Sequence, residues 1–188
     1  MTPQEYTLTA RLASENATFS SYIRNLIQNP QIVNINNFAT FHSTIVQASA
    51  GITAKNLVQI NGVTTSSGLA VVDNAVTPSN SGTYLINTLG QFKFTGGGTG
   101  GNITFWYEIN DVAPANSAAS FYLPTSNNYE TSSNVEAVLP LNAGDRIKFY
   151  WWSDVNPPAN VFLHYTPAAS NPTRPASPSV NITILQLS

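Results

Sequence analysis

Few side chains in this sequence have the potential for chemistry, and the histidines are the first to consider. The chain holds two, His42 and His164, and it has no cysteine. Each histidine stands alone in a strand-like run, without the closely spaced second ligand that is typical of a zinc site, so we interpret both as structural or surface residues. The lack of cysteine excludes disulfides, thiolate catalysis and cysteine-based zinc sites. We therefore expect no bound metal and no cofactor.

The carboxylates form no recognisable catalytic or calcium-binding pattern either. Glu108 and Asp111 lie near the end of one predicted strand, and Asp145 and Asp154 flank another. Paired carboxylates can perform acid–base catalysis or bind calcium, but these four are spread over separate loops. A Ser-His-Asp triad is defined by geometry, which scattered serines and aspartates do not establish. We predict no catalytic residues and a protein that is not an enzyme.

The glycine-rich run at residues 96–101 has the composition of a phosphate-binding loop. It lacks the Lys-Ser/Thr pair and the following helix that such a loop needs. It also lies between two predicted strands. We therefore predict that it is a hairpin connection.

Residues 139–152 combine a tight turn with the most aromatic strand of the sequence. Gly144 can adopt a positive φ and Asp145 can hydrogen-bond to its own backbone, so we predict a structural turn here. Side chains then alternate across the strand. One face is predicted to be core, whereas the other begins with two cations and ends with two aromatics: Ile147, Phe149 and Trp151 on the first, and Arg146, Lys148, Tyr150 and Trp152 on the second.

Four aromatic side chains are predicted to lie on the polar faces of their strands: Trp106, Tyr150, Trp152 and Phe162. A soluble domain rarely exposes an aromatic patch to water, so these residues indicate a surface that another molecule covers. The favoured interpretation is an interface with a sister subunit. The alternative is a platform on which a glycan or a receptor binds.

The composition supports burial in an assembly. The chain has 188 residues, a formal charge of -2 and only 9% charged residues, against roughly 25% in an ordinary soluble domain. No run of basic residues indicates nucleic-acid binding, and no apolar run reaches the roughly 20 residues that span a membrane. The N-terminal residues do not have the pattern of a secretory signal, so we expect synthesis in a cytoplasm.

Residues 1–37 are predicted to form a separate N-terminal segment, a helix followed by an extended arm. Thr2 and Glu5 have the spacing of a capping box, and Pro30 stops the helical pattern. The apolar positions at helical spacing are Phe19, Tyr22, Ile23, Leu26 and Ile27. This stripe packs either on its own domain or a sister chain, or it anchors the protein to another protein; we take these residues as the candidate anchor.

From residue 38 to 188 the pattern predicts an all-β domain, an antiparallel sandwich for which a jelly roll is the best match. Short alternating runs are separated by turn residues, with no helices between them. The predicted strands are residues 38–47, 57–60, 69–72, 82–94, 102–109, 119–123, 135–141, 146–152, 160–166 and 179–187.

Four stretches of this domain resemble the tumour-necrosis-factor-like and complement globular-head superfamily, especially the short trimeric jelly rolls of bacteriophage and other virion proteins. They are an opening strand at residues 38–47, a Gly-x-Tyr strand at 81–86, a Leu-x-Ala-Gly-Asp turn at 141–147 and a proline-rich ending at 171–180. The resemblance implies a homotrimer packed around a threefold axis, with the four surface aromatics as its predicted interface.

The same resemblance implies a virion structural protein, a capsid decoration or head-fibre-like protein displayed on the particle and bound to other virion proteins of the capsid or tail. The alternative is a receptor-binding tip that recognises a host glycan or protein. A further alternative is a secreted cytokine-like or complement-like ligand, although the sequence has no collagen-like stalk. Fold membership by itself does not decide among these functions.

Overall fold

The computed structural model describes residues 37–124 and 128–188, which form an all-β, antiparallel sandwich. The predicted fold class is therefore confirmed. Over the described residues, no helix is long and apolar enough to cross a membrane. The predicted N-terminal helix, the arm up to residue 36 and the candidate anchor residues lie outside the described part of the chain: Phe19, Tyr22, Ile23, Leu26 and Ile27.

The described residues contain fifteen strands and one short 3-10 turn at Pro158–Asn160. In chain order the strands are β1 (Phe38–Ser43), β2 (Gln47–Ala48), β3 (Asn56–Leu57), β4 (Gly62–Ser67), β5 (Leu69–Val72), β6 (Ala75–Pro78), β7 (Gly82–Phe94), β8 (Gly101–Ile109), β9 (Ala118–Leu123), β10 (Tyr129–Leu141), β11 (Ile147–Ser153), β12 (Val161–Leu163), β13 (Ala169–Ser170), β14 (Thr173–Arg174) and β15 (Val180–Gln186).

The first sheet is built around β7, which pairs along its whole length with β10. The other edge of β7 pairs with β15 and then with β12. Beyond β15 lie β1 and the edge strand β4, and beyond β12 lies β2. Every pairing is antiparallel. Because side chains alternate along a strand, the two long strands β7 and β10 each present one face to the core and the other outward.

The second sheet has the order β5-β6-β11-β8-β9, with β3 also paired to β11, and β13 and β14 form a separate hairpin. The chain crosses repeatedly between the two large sheets, as from β6 to β7 and from β7 to β8. The first and last strands, β1 and β15, lie side by side. These features are compatible with a jelly roll, in which two Greek keys form the two sheets.

The core lies between the sheets and contains the inward faces that alternation predicts. Trp151 is fully buried on β11, and its ring centroid lies 5.6 Å from that of Phe92 on β7. Other core residues at or below 1% exposure include Tyr84, Ile86, Phe94, Ile103, Phe105, Ile147, Phe149, Val161, Leu163, Val180, Ile182 and Ile184. The large aromatic fraction is thus mostly placed where it removes apolar surface from water.

The single strand predicted at residues 38–47 is wrong in its length. In the structure β1 ends at Ser43, and strand pairing begins again only at Gln47, in β2. A side-chain contact replaces the ladder between them: the backbone N–H of Thr44 donates to the side chain of Asn61 at 2.8 Å. Such local side-chain bonds compete with regular pairing. The predicted strand at residues 160–166 is likewise shortened to β12.

The predicted turn before β11 is present, and hydrogen bonds close it from both sides. Gly144 has a φ of +87°, and nothing lies within 4 Å of the position a Cβ would take there. The Asp145 carboxylate accepts from the backbone N–H of Asn142 at 2.7 Å and from the side chain of Asn110 at 2.8 Å. The carboxylate is thus used to hold the turn, as a structural residue.

The glycine-rich run is not the predicted hairpin connection, because it joins β7 to β8, which lie in different sheets; it is a tightly packed loop. A Cβ on Gly98 would lie 2.2 Å from the backbone oxygen of Asn156, and one on Gly101 would lie 2.2 Å from the Asp154 carboxylate. The backbone N–H of Thr99 donates to that same Asn156 oxygen at 3.1 Å. These glycines therefore allow two backbone segments to approach closely.

Candidate functional site

The outer face of the second sheet carries three of the four predicted surface aromatics. Trp106 on β8 lies opposite Tyr150 on β11, and Trp152 lies opposite Thr104. The rings of Trp106 and Tyr150 are stacked, with centroids 5.7 Å apart and planes inclined by 23°. Phe162, the fourth, lies on β12 in the first sheet. The predicted interface residues therefore divide between the two sheets, and their contact with a sister subunit stays a prediction.

The segment between β2 and β3 covers part of this aromatic face. Nζ of Lys55 lies 4.4 Å from the centroid of the Tyr150 ring, a cation–π contact. The indole N–H of Trp152 donates to the backbone oxygen of Ile52 at 2.6 Å. Tyr150 is therefore only 7% exposed within a single protomer. Little of its surface is left for another subunit, whereas Trp152 is only partly buried.

Glu108 is a buried carboxylate on the same face, and it orients the aromatic pair. It accepts two hydrogen bonds from Nζ of Lys55, both at 2.9 Å, and one from the indole N–H of Trp106 at 3.3 Å. The bond to Glu108 raises the pKa of Lys55 above its usual value, because it favours the ammonium form. The carboxylate is occupied by these donors, so the cluster holds Trp106 in place.

A groove of about 600 Å³ opens beside these aromatics. One wall is the outer face of β8 and β11, and the other is the loop that leads into β9. The described residues that line it are Thr104, Trp106, Ala113, Pro114, Asn116, Ser117, Ala118 and Trp152. It is thus lined by two indoles, small apolar side chains, hydroxyls and one amide.

The remaining carboxylates that the sequence singled out serve in structural contacts. Asp154 accepts from the side chain of Asn102 at 3.0 Å, and Asp111 pairs with Lys148 at 2.5 Å. Asp111 is highly exposed, and the bond from Lys148 lowers the pKa of its carboxyl. Among the described residues, no three His, Asp or Glu side chains are grouped closely enough to hold a metal ion.

The outer face of the first sheet carries an apolar row that crosses four strands. Phe38 pairs with Leu185, Leu185 with Leu85, and Leu85 with Val138. Phe38 is 37% exposed and Val138 is 57% exposed, and Leu187 beyond the end of β15 is 41% exposed. We call Phe38, Leu85, Val138 and Leu185 the apolar row. Sequence analysis missed it, although each member is an apolar residue at an outward position.

The same outer face bears both histidines, in different surroundings. His42 contacts the Thr64 hydroxyl at 3.2 Å near the β4 edge. His164 lies beside Phe162, with ring centroids 5.8 Å apart, and its Nε2 is 3.6 Å from the Glu130 carboxylate. Its Nδ1 is buried and has no hydrogen-bond partner among the described residues.

The stability of the fold is expected to fall as His164 becomes protonated. Burial lowers the pKa of His164 below its usual 6.5; Glu130 opposes this shift and Lys93 adds to it. The folded state therefore binds its proton less readily than the unfolded chain, so the free energy of unfolding should decrease as the pH falls below about 6.5. Urea unfolding between pH 7 and pH 5 measures the slope.

The variant His164→Gln should flatten this pH dependence, because it removes the titrating ring. The neighbouring Glu130 does not contribute to the slope between pH 7 and pH 5. The hydrogen bond from Lys93 lowers the pKa of Glu130, so its contribution is lost only below about pH 4.3. An unchanged slope in His164→Gln would contradict the assignment.

Comparison with known proteins assigns the chain to no family. No protein-family model matches the sequence, and no curated protein matches it.

Proposed function

We propose that this chain is a structural protein displayed on the surface of a virus particle, where it acts as a homotrimer. The observation that carries the proposal is the apolar row on the outer face of the first sheet. Large contiguous apolar patches on the surface of a soluble protein, above a few hundred Å², mark interaction sites. Here the row runs across four paired strands, from Phe38 to Val138.

A second copy of this chain is the partner that fits the row best. The chain has only 16 charged side chains in 188 residues, as 7 Lys and Arg plus 9 Asp and Glu. A surface so poor in charge provides little electrostatic complementarity for a different partner. Identical chains can pair the same apolar residues around a closed symmetry axis. The resemblance of the sequence to trimeric jelly rolls supports a threefold axis.

Phe162, one of the four predicted interface aromatics, lies on the same outer face as the row, opposite Lys93 of β7. Trp106 and Trp152 lie on the other sheet, beside a groove whose two walls both belong to the same protomer. Self-association is therefore proposed to occur through the outer face of the first sheet. It leaves the second sheet free for another ligand.

Val138→Asp is expected to dissociate the trimer while leaving the protomer folded. A carboxylate at this outward position would be desolvated without a partner if a neighbouring subunit covers the row, whereas in a monomer it would remain in water. Multi-angle light scattering should change from a threefold multiple of 20.2 kDa to 20.2 kDa itself.

Val72→Asp is the matched control, because Val72 is 59% exposed on the second sheet and Val138 is 57% exposed on the first. It should stay trimeric. A wild-type mass of 20.2 kDa would overturn the trimer. Dissociation by Trp152→Ser but not by Val138→Asp would instead place the interface on the second sheet.

Attachment to the particle is proposed to occur through residues 1–37, as the predicted amphipathic stripe suggests. Deletion of residues 1–30 should abolish binding to the particle and leave a soluble trimer. Electron microscopy of particles incubated with each protein measures this directly. Binding that survives the deletion would exclude this segment as the anchor.

A further inference from the structure

We propose that the groove beside Trp106 and Trp152 binds a neutral oligosaccharide, with a pyranose ring stacked on the indoles. The site lies within one protomer. It therefore does not depend on the trimer or on attachment to a particle.

The indoles are fixed before any ligand arrives. The N–H of Trp106 is donated to Glu108 and the N–H of Trp152 to the oxygen of Ile52. One side of the Trp106 ring is stacked on Tyr150. Because both polar N–H groups are used within the protein, the rings offer apolar surface to the groove. Aromatic surface held in this way suits the C–H face of a sugar ring.

Hydroxyl and amide groups supply the polar half of the site. Oγ1 of Thr104 lies 2.8 Å from Oγ of Ser120, the next outward position across the sheet. A hydroxyl pair of this kind shares one hydrogen and still offers another hydrogen and further lone pairs. Asn116 and Ser117 line the opposite wall. A ligand with many hydroxyls can therefore hydrogen-bond on both sides while it stacks on the indoles.

The charges around the groove favour a neutral ligand. Among the described residues that line it, none carries a formal charge. The two lysines of the same face are already paired, Lys55 with Glu108 at 2.9 Å and Lys148 with Asp111 at 2.5 Å. An acidic sugar would bring a carboxylate that no lining cation meets, because the exposed Arg146 of the same face is not among the residues that line the groove. Proline-rich peptides also bind aromatic grooves, but the hydroxyls here match a sugar better.

The test is a titration of the full chain with a panel of neutral trisaccharides made of glucose, galactose, mannose or N-acetylglucosamine. Tryptophan fluorescence reports the site selectively, because the third tryptophan, Trp151, is fully buried. We expect a saturable change with at least one sugar, at a Kd in the range of about 0.1–5 mM. A sialylated trisaccharide should bind no more tightly than its neutral counterpart. A decaproline peptide is titrated in parallel.

Two variants locate the binding. Trp152→Ala should weaken it about tenfold, because the stacking surface is lost. Thr104→Val keeps both indoles and the side-chain shape, so it tests the site even if Trp152→Ala fails to fold; it should weaken binding about threefold or more. Phe162→Ala, which changes an aromatic on the other sheet, should leave the Kd unchanged.

Three results would overturn the proposal. They are no saturable response to any neutral sugar, binding that survives both groove variants, and a groove-dependent response to decaproline alone. The last would identify the groove as a peptide site.

Discussion

Phe92→Ala is expected to lower the free energy of unfolding by about 3–5 kcal/mol. Phe92 is fully buried on β7, the strand that pairs with three others in the first sheet. Its ring contacts three aromatic rings of the second sheet, with centroids 5.3 Å from Phe121, 5.6 Å from Trp151 and 6.0 Å from Phe105. Removing it leaves a cavity between the sheets that these rigid rings cannot collapse to fill.

Urea unfolding at one fixed protein concentration measures the loss, because association would otherwise shift the midpoint. Tyr122→Ala is the control, since Tyr122 is 61% exposed on β9. This variant should change the free energy of unfolding by no more than about 0.5 kcal/mol. Equal losses in both variants would show that Phe92 is not the centre of the contact between the sheets.

Asn56→Ala is expected to cause the second large decrease in the free energy of unfolding. It tests how the segment before β3 is held on the second sheet. The Asn56 side chain accepts from the backbone N–H of Ala50 at 2.7 Å and donates to the backbone oxygen of Trp151 at 3.1 Å. Asn56 is only 8% exposed, so water does not readily replace it. We expect a loss of about 1–3 kcal/mol, because the buried backbone oxygen of Trp151 loses this donor.

Asn61→Ala is a close match for this change. Asn61 also makes two side-chain hydrogen bonds, both to Thr44 at 2.8 and 2.9 Å, but it is exposed. Because water can replace those hydrogen bonds, Asn61→Ala should lower the free energy of unfolding by no more than about 0.5 kcal/mol. Hydrogen exchange at Ala50 gives a second readout, and it should become faster in Asn56→Ala only. A protected Ala50 N–H in that variant would argue against the role given to Asn56.

Two sequence predictions show where residue patterns suffice. The strand predicted at residues 82–94 has the observed bounds of β7, because large apolar side chains at alternating positions can be buried only on one face of a strand. The turn at Gly144 and Asp145 was likewise predictable, since it depends on a positive φ and on bonds between residues three apart. Both features are local.

Other elements could not be predicted because their causes lie far along the chain. Strand β4 has only exposed or half-buried residues and no apolar alternation, and it exists because β1 offers it a partner. The cover over Tyr150 depends on Ile52 and Lys55, and the bond from Trp152 to Ile52 joins residues 100 positions apart. No periodicity in the sequence reports such contacts.

The sequence by itself determined the all-β class, the inward faces and the presence of surface aromatics, because these follow from residue type and a period of two. Only the tertiary structure decided how the aromatics are grouped. It separated Phe162 from Trp106 and Trp152, placed a groove beside the two tryptophans and aligned Phe38 with Val138 across four strands. Strand order and register, which residue patterns do not encode, bring such distant side chains together.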